Sequence, residues 1–176
     1  LGERVIVDPS LTNVPENSKL SGRGDLYGEL GVIGANVDGG YAELCLVPDT
    51  HVYPIPDELS WHQAATFPTA WMTAHHALFD VAQLKEGEVV MIHAAGSGVS
   101  MAGIQLAKNA GATVLATAGS EGKCEKALQL GADFTCVNRD TDVAQWAREV
   151  THGAGANVVF DHVGEALWAQ SMFSLA

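Results

Sequence analysis

The stretch 89–111 constrains the fold more than any other part of this chain. Val89-Val90-Met91-Ile92 is a short apolar, β-branched run suited to a strand covered on both faces. Gly96-Ser97-Gly98 turns the chain sharply and lets another molecule approach the backbone. From Val99, apolar and small residues recur at helical spacing (Val99, Gly103, Leu106, Ala107, Ala110), and Gly111 supplies a stop. A helix beginning at such a turn aims unpaired N–H groups and a partial positive charge at whatever lies before it, which suits a phosphate. The pattern departs from strict G-x-G-x-x-G, because Met101 stands where a third glycine would fall. With the register set by the helix start, Ala95, Ser97 and Ser100 fill the small-residue slots. A glycine turn of this kind also serves purely structural ends, so its surroundings decide.

Those surroundings alternate. Before residue 57 the chain reads as strand and loop: a strand at 5–7, an excursion rich in turn formers over 10–40, a strand at 41–47 and an extended segment at 52–56. Ser60 then caps a helix over 61–66, and Pro68 opens a second over 69–81. Strands at 89–93, 113–117, 134–137 and 158–161 follow, separated by helices at 98–110, 123–130 and 142–151, with a last helix from 165. Such alternation predicts an α/β fold with a doubly wound parallel sheet. Right-handed crossovers put the turns 94–98, 117–120 and 161–164 on one carboxyl edge, where ligands bind in such folds.

Two parts of that edge are linked. Gly96 to Ser100, with Val99 between, would hold a pyrophosphate. Thr117-Ala118-Gly119-Ser120 would meet an adenosine ribose. A site that prefers NAD carries Asp or Glu at this strand end to accept from the ribose 2′-OH. Ala118 stands there, and Ser120 and Lys123 lie close by, so NADP is favoured; Glu121 keeps NAD open. Alternatively, Ser120 caps the following helix and Lys123 is a solvated side chain.

Composition sets outer limits. At 176 residues and 47% hydrophobic, the chain can bury a substantial core. The net charge of −12 argues against nucleic acid or an anionic membrane as partner, so a phosphate site must rely on backbone N–H groups and local cations. Cys45, Cys124 and Cys136 are odd in number and far apart, which reads as small buried residues of a reducing, cytoplasmic compartment. No signal peptide and no long apolar run is evident. The first residue is not methionine and the last falls inside a helical pattern, so a fragment of a longer protein is expected.

Taken in order, Gly2-Glu3-Arg4-Val5, Asp38-Gly39-Gly40-Tyr41-Ala42-Glu43, Pro68-Thr69-Ala70-Trp71-Met72-Thr73-Ala74, the stretch 92–107, Ala116-Thr117-Ala118-Gly119-Ser120 and Leu130-Gly131-Ala132-Asp133 resemble the medium-chain dehydrogenase/reductase superfamily of zinc alcohol dehydrogenases and quinone oxidoreductases. The resemblance implies that residues 1–56 are the later part of a GroES-like β-barrel catalytic domain. Residues 57–176 would be the first part of a Rossmann domain. It implies a small-molecule substrate, and a homodimer or homotetramer at full length. Thr73 matches the threonine that lies against the nicotinamide, although a helical threonine also bonds back to its own backbone. Thr69 stands where zinc alcohol dehydrogenases place a cysteine ligand of the catalytic zinc, and a neutral hydroxyl is a poor zinc ligand. Residues 10–36 hold no cysteine where the structural zinc lobe carries four. No metal ligand is therefore assigned, and the quinone oxidoreductase branch fits better.

Further candidates follow. Val163 and Gly164 would approach the nicotinamide, and His162 would donate a proton or be a partly buried neutral histidine. His93 beside the glycine turn reads as packing. His75 and His76 point about 100° apart on a helix and do not serve one ion. The expected activity is hydride transfer between a nicotinamide and an alcohol or carbonyl, or a quinone or enone. The alternatives are a zinc enzyme with ligands outside this chain and a nucleotide-binding protein without turnover. A methyltransferase is a third, and Ala118 argues against it.

Overall fold

The computed structural model describes residues 2–12 and 30–176. The part of the 10–40 excursion between residues 13 and 29 lies outside them. Two compact units are present, Leu1–Thr69 and Ala70–Ala176.

In the first unit, β1 (Val5–Val7) pairs antiparallel with β4 (Val52–Pro54), and β2 (Ser10–Thr12) with β3 (Leu30–Val32). No closed barrel forms among the described residues. The helix α1 (Trp61–Ala64) starts at a capping box: Ser60 Oγ accepts from the Gln63 N–H while the Gln63 side chain accepts from the Ser60 N–H. The guanidinium of Arg4 stacks 4.8 Å from the Trp61 ring centroid. The strand expected at 41–47 is not formed. Its alternation is real, but no neighbouring strand accepts its backbone among the described residues, and Tyr41, Leu44 and Leu46 stand exposed. Cys45 lies on this segment and is exposed, against the expectation that all three cysteines are buried. Cys124 is buried, and burial together with the nearby Cys124 pushes the Cys136 thiol up to about 12, so Cys136 is not poised for thiolate chemistry.

The second unit is built on a four-stranded parallel sheet of β5 (Val89–Ile92), β6 (Thr113–Ala118), β7 (Phe134–Val137) and β8 (Val158–Phe160), in the order β7-β6-β5-β8. Period-two alternation divides the core. Val90, Ile92, Val114, Ala116 and Ala118 pack with Ile104 and Ala107 of α3 (Gly98–Asn109) and with Cys124 and Ala127 of α4 (Glu121–Gln129). Met91 and Leu115 face the other way, against Val143 and Ala147 of α5 (Val143–Val150), which Asp142 caps at the Gln145 N–H. The last helix, α6 (Trp168–Ser174), packs on α5 and begins later than the expected 165.

The helix expected over 69–81 is present in altered form. A short α-helix, α2 (Met72–His75), lies between two wider π-helical turns, Phe67–Trp71 and His76–Val81. Apolar spacing cannot distinguish a π turn from an α turn over so few residues. No helix among the described residues is long and apolar enough to cross a membrane.

Candidate functional site

The strand order reverses beside β5: β6 and β7 lie on one side and β8 on the other. The crevice beyond the carboxyl ends of β5 and β8 is therefore the topological switch point, where ligands bind in open α/β sheets. The segments leaving it include the turns 94–98 and 161–164, both singled out from sequence.

The first segment is shaped for close approach. Ala94 takes the left-handed conformation at φ 51°, and the Ser97 N–H closes the turn onto the Ala94 carbonyl at 2.8 Å. Ala95 is buried and donates to the Thr117 carbonyl at 2.9 Å, tying the turn to β6. Ser97 is the residue before α3, yet its side chain does not cap the helix. The first-turn N–H groups of Gly98, Val99 and Ser100 therefore receive no cap from the Ser97 side chain. A Cβ on Gly96 would come within 3.0–3.4 Å of the aliphatic stem of Lys123, so this lysine lies across the turn. An uncapped helix start, a bare glycine and a lysine stem laid over it fit a pyrophosphate.

Ser100 fills the small-residue slot. It is fully buried, its hydroxyl donates to the His93 carbonyl at 2.7 Å, and it accepts from His162 Nε2 at 2.8 Å. Because the Ser100 proton goes to a carbonyl, the proton of the other bond sits on His162 Nε2. His162 itself is exposed. Gly103, two residues past the slot that Met101 fills, is a second close-packed position. A Cβ on Gly103 would lie 3.4 Å from both Ile92 Cδ1 and Phe160 Cε1, so the close contact between helix and sheet is made there.

At the second segment, Asp161 Oδ1 accepts from the N–H groups of Val163 at 2.8 Å and Gly164 at 3.0 Å, and Gly164 takes a positive φ of 79°. At the end of β6, Thr117 and Ala118 are buried, while Gly119, Ser120 and Lys123 are exposed. Ser120 precedes α4 without a side-chain cap, so the capping alternative is not what its hydroxyl does. Thr73 is exposed on α2, which packs on α3, and its hydroxyl makes no bond back to its helix among the described residues. No group of three or more His, Cys, Asp or Glu converges on a metal position among the described residues.

The comparisons with known proteins agree with this geometry. The family model "Zinc-binding dehydrogenase" matches residues 98–176. A solved NAD-dependent alcohol dehydrogenase superposes with a TM-score of 0.93 at 36% identity, over 99% of this chain and 51% of that one. The chain belongs to the medium-chain dehydrogenase/reductase superfamily. It is also 39% identical over 158 residues to a phenolphthiocerol/phthiocerol polyketide synthase subunit of Mycobacterium tuberculosis, covering 82% of this chain and 7% of the synthase. It resembles a solved putative enoyl reductase domain of a polyketide synthase at 38% identity and a TM-score of 0.59, covering 64% of each. The chain thus spans about half the length of the alcohol dehydrogenase and a small part of the synthase.

A polar row at this dehydrogenase/reductase edge escaped the sequence reading. His93 is fully buried; its Nδ1 lies 2.8 Å from Thr117 Oγ1 and its Nε2 3.0 Å from Ser171 Oγ. Ser171 Oγ lies 2.6 Å from Asp161 Oδ2. Burial lowers the His93 pKa, with His162 acting in the same direction and Asp161 against them. Burial pushes the Asp161 carboxyl up, but the Ser171 hydroxyl, the N–H groups of Gly164 and Val163, and His93 outweigh it and leave it below its usual value. Strand parity could have found the first link. Ile92 pairs with Ala116 and with Phe160, so the next row is Thr117, His93 and Asp161. Nothing in the sequence marks Ser171.

Proposed function

We propose that this chain is the dinucleotide-binding part of an NADP-preferring oxidoreductase, with residues 1–56 contributing to a GroES-like substrate domain, and that the reaction is reduction of a C=C bond conjugated to a carbonyl. The observation that carries this reading is the start of α3, uncapped at the switch point with the Lys123 stem across Gly96. When bound, NADPH supplies a hydride to the β-carbon, and a proton completes the α-carbon.

The roles of this chain's own residues follow from chemistry. Ala95 to Ser100 cradle the pyrophosphate through backbone N–H groups. Gly119, Ser120 and Lys123 would take the phosphorylated ribose, beside Thr117 and Ala118, where β6 ends without a carboxylate and Glu121 opens α4 as the one acid nearby in sequence. Val163 and Gly164 would hold the nicotinamide end of the cofactor, and the exposed Thr73 hydroxyl would offer it a hydrogen bond. His162 spends Nε2 on Ser100, which leaves Nδ1 to hold or pass a proton. Thr69 offers a zinc ion only a neutral hydroxyl, which favours the conjugated substrate, whose own electrons spread the developing charge. The enoyl reductase likeness points the same way. Oxidation of an alcohol is the second reading and draws on the alcohol dehydrogenase likeness.

Steady-state oxidation of NADPH by the full-length protein tests this, with an enoyl thioester, a quinone and an aldehyde as acceptors. Turnover with the enoyl thioester is expected. Turnover with the aldehyde alone moves the assignment to the second reading, and binding of NADPH without turnover on any acceptor overturns the enzyme.

A further inference from the structure

The row Thr117, His93 and Asp161 joins the carboxyl ends of three strands on the α5/α6 side of the sheet, and Ser171 closes it from α6. Its hydrogens have a direction. Ser171 has one proton and lies beside two groups that only accept, the Asp161 carboxylate at 2.6 Å and the Leu167 carbonyl at 3.1 Å. The bond from His93 therefore carries its proton on Nε2, and neutral Nδ1 accepts from the Thr117 hydroxyl. Asp161 spends Oδ2 on Ser171 and Oδ1 on the two N–H groups of the 161–164 turn. Every polar side chain of the row is paired, although His93 and Ser171 are buried.

We infer that Ser171 is a positioning residue: its hydroxyl, anchored by His93, holds the Asp161 carboxylate and through it the Val163–Gly164 turn at the end of the crevice that faces the nicotinamide. The inference rests on the nicotinamide reading for what the turn receives, and on hydrogen-bond geometry alone for how the turn is held. A helix some ten residues further along the chain thus sets the shape of the crevice without touching a ligand.

The test uses Ser171→Ala and Ser171→Thr in the full-length protein, with two measurements. One is hydrogen-exchange protection of the Val163 and Gly164 amides without ligand. The other is affinity for NADPH set beside affinity for 2′-phospho-ADP-ribose, which lacks the nicotinamide. In Ser171→Ala the two amides should lose about tenfold in protection and NADPH affinity should fall about tenfold, as expected for one lost charge-assisted hydrogen bond. Affinity for 2′-phospho-ADP-ribose should stay unchanged, and Ser171→Thr should restore both losses. Equal weakening of the two ligands overturns the inference, because it marks a general loss of structure. Unchanged amide protection also overturns it. Failure of the wild type to bind either ligand overturns the nicotinamide reading and this residue's part in it, while the amide comparison separately decides whether Ser171 holds the turn.

Discussion

At the scale of single residues, the proposed NADP preference rests on Ala118 and Ser120. Ala118 ends β6 fully buried, and the Ser120 hydroxyl is exposed and uncommitted to its helix. A carboxylate placed at residue 120 would repel a 2′-phosphate and accept from a 2′-hydroxyl. Ser120→Asp should therefore weaken NADPH binding about tenfold or more, with little loss or a gain for NADH, measured by titrating cofactor fluorescence. An equal loss for both would show that residue 120 does not meet the ribose. The residues behind this prediction were readable in the chain as written, because a glycine turn after an apolar strand and the end of the next strand are local patterns. Lys123 was readable as a nearby cation. That its stem lies on Gly96 was not, since it depends on how α4 docks on the sheet.

Among the elements, α3 shows how one position sets a contact. At Gly103 the helix packs tightly on β5 and β8, with Ile92 and Phe160 at 3.4 Å from the point a methyl group would occupy. Gly103→Ala gains helix propensity of about 1 kcal/mol and fills a space that needs only a few tenths of an ångström, so its stability should stay within about 1 kcal/mol of wild type. Gly103→Leu should lose about 1–3 kcal/mol by overpacking, read as a lower midpoint in urea with an unchanged slope. The parallel sheet was legible because its strands are short apolar runs between amphipathic helices. The segment 41–47 misled because alternation records which side chains share a face, whereas a strand also needs a partner for its backbone. The π turns around α2 left no mark, since they keep the same apolar face as an α-helix.

For the whole molecule, the buried row makes stability depend on acid. His93 stays neutral in the fold with its pKa below the ordinary 6.5, whereas the unfolded chain takes up a proton there. Its contribution is complete above about pH 6.5 and is lost as pH falls towards the folded value. Asp161 adds a second loss below its ordinary 3.8, as its carboxylate is protonated. The titratable groups that reach His93 are Asp161 and His162; β6 and α6 meet it with the hydroxyls of Thr117 and Ser171. The melting temperature should be flat above pH 7 and fall on acidification, and His93→Gln should remove the first part of that fall. The same row also bears on how the sheet assembles. Side chains alternate between faces, so a slip of one residue in β5 or β6 would carry His93 or Thr117 to the α3 side, among Ile104 and Ala107, with no hydroxyl to meet it. Each stranded polar group there would cost about 1–3 kcal/mol. Apolar strands as uniform as Val-Val-Met-Ile and Val-Leu-Ala tolerate several alignments by hydrophobicity alone, so the polar row acts as a proofreading device for strand alignment during folding.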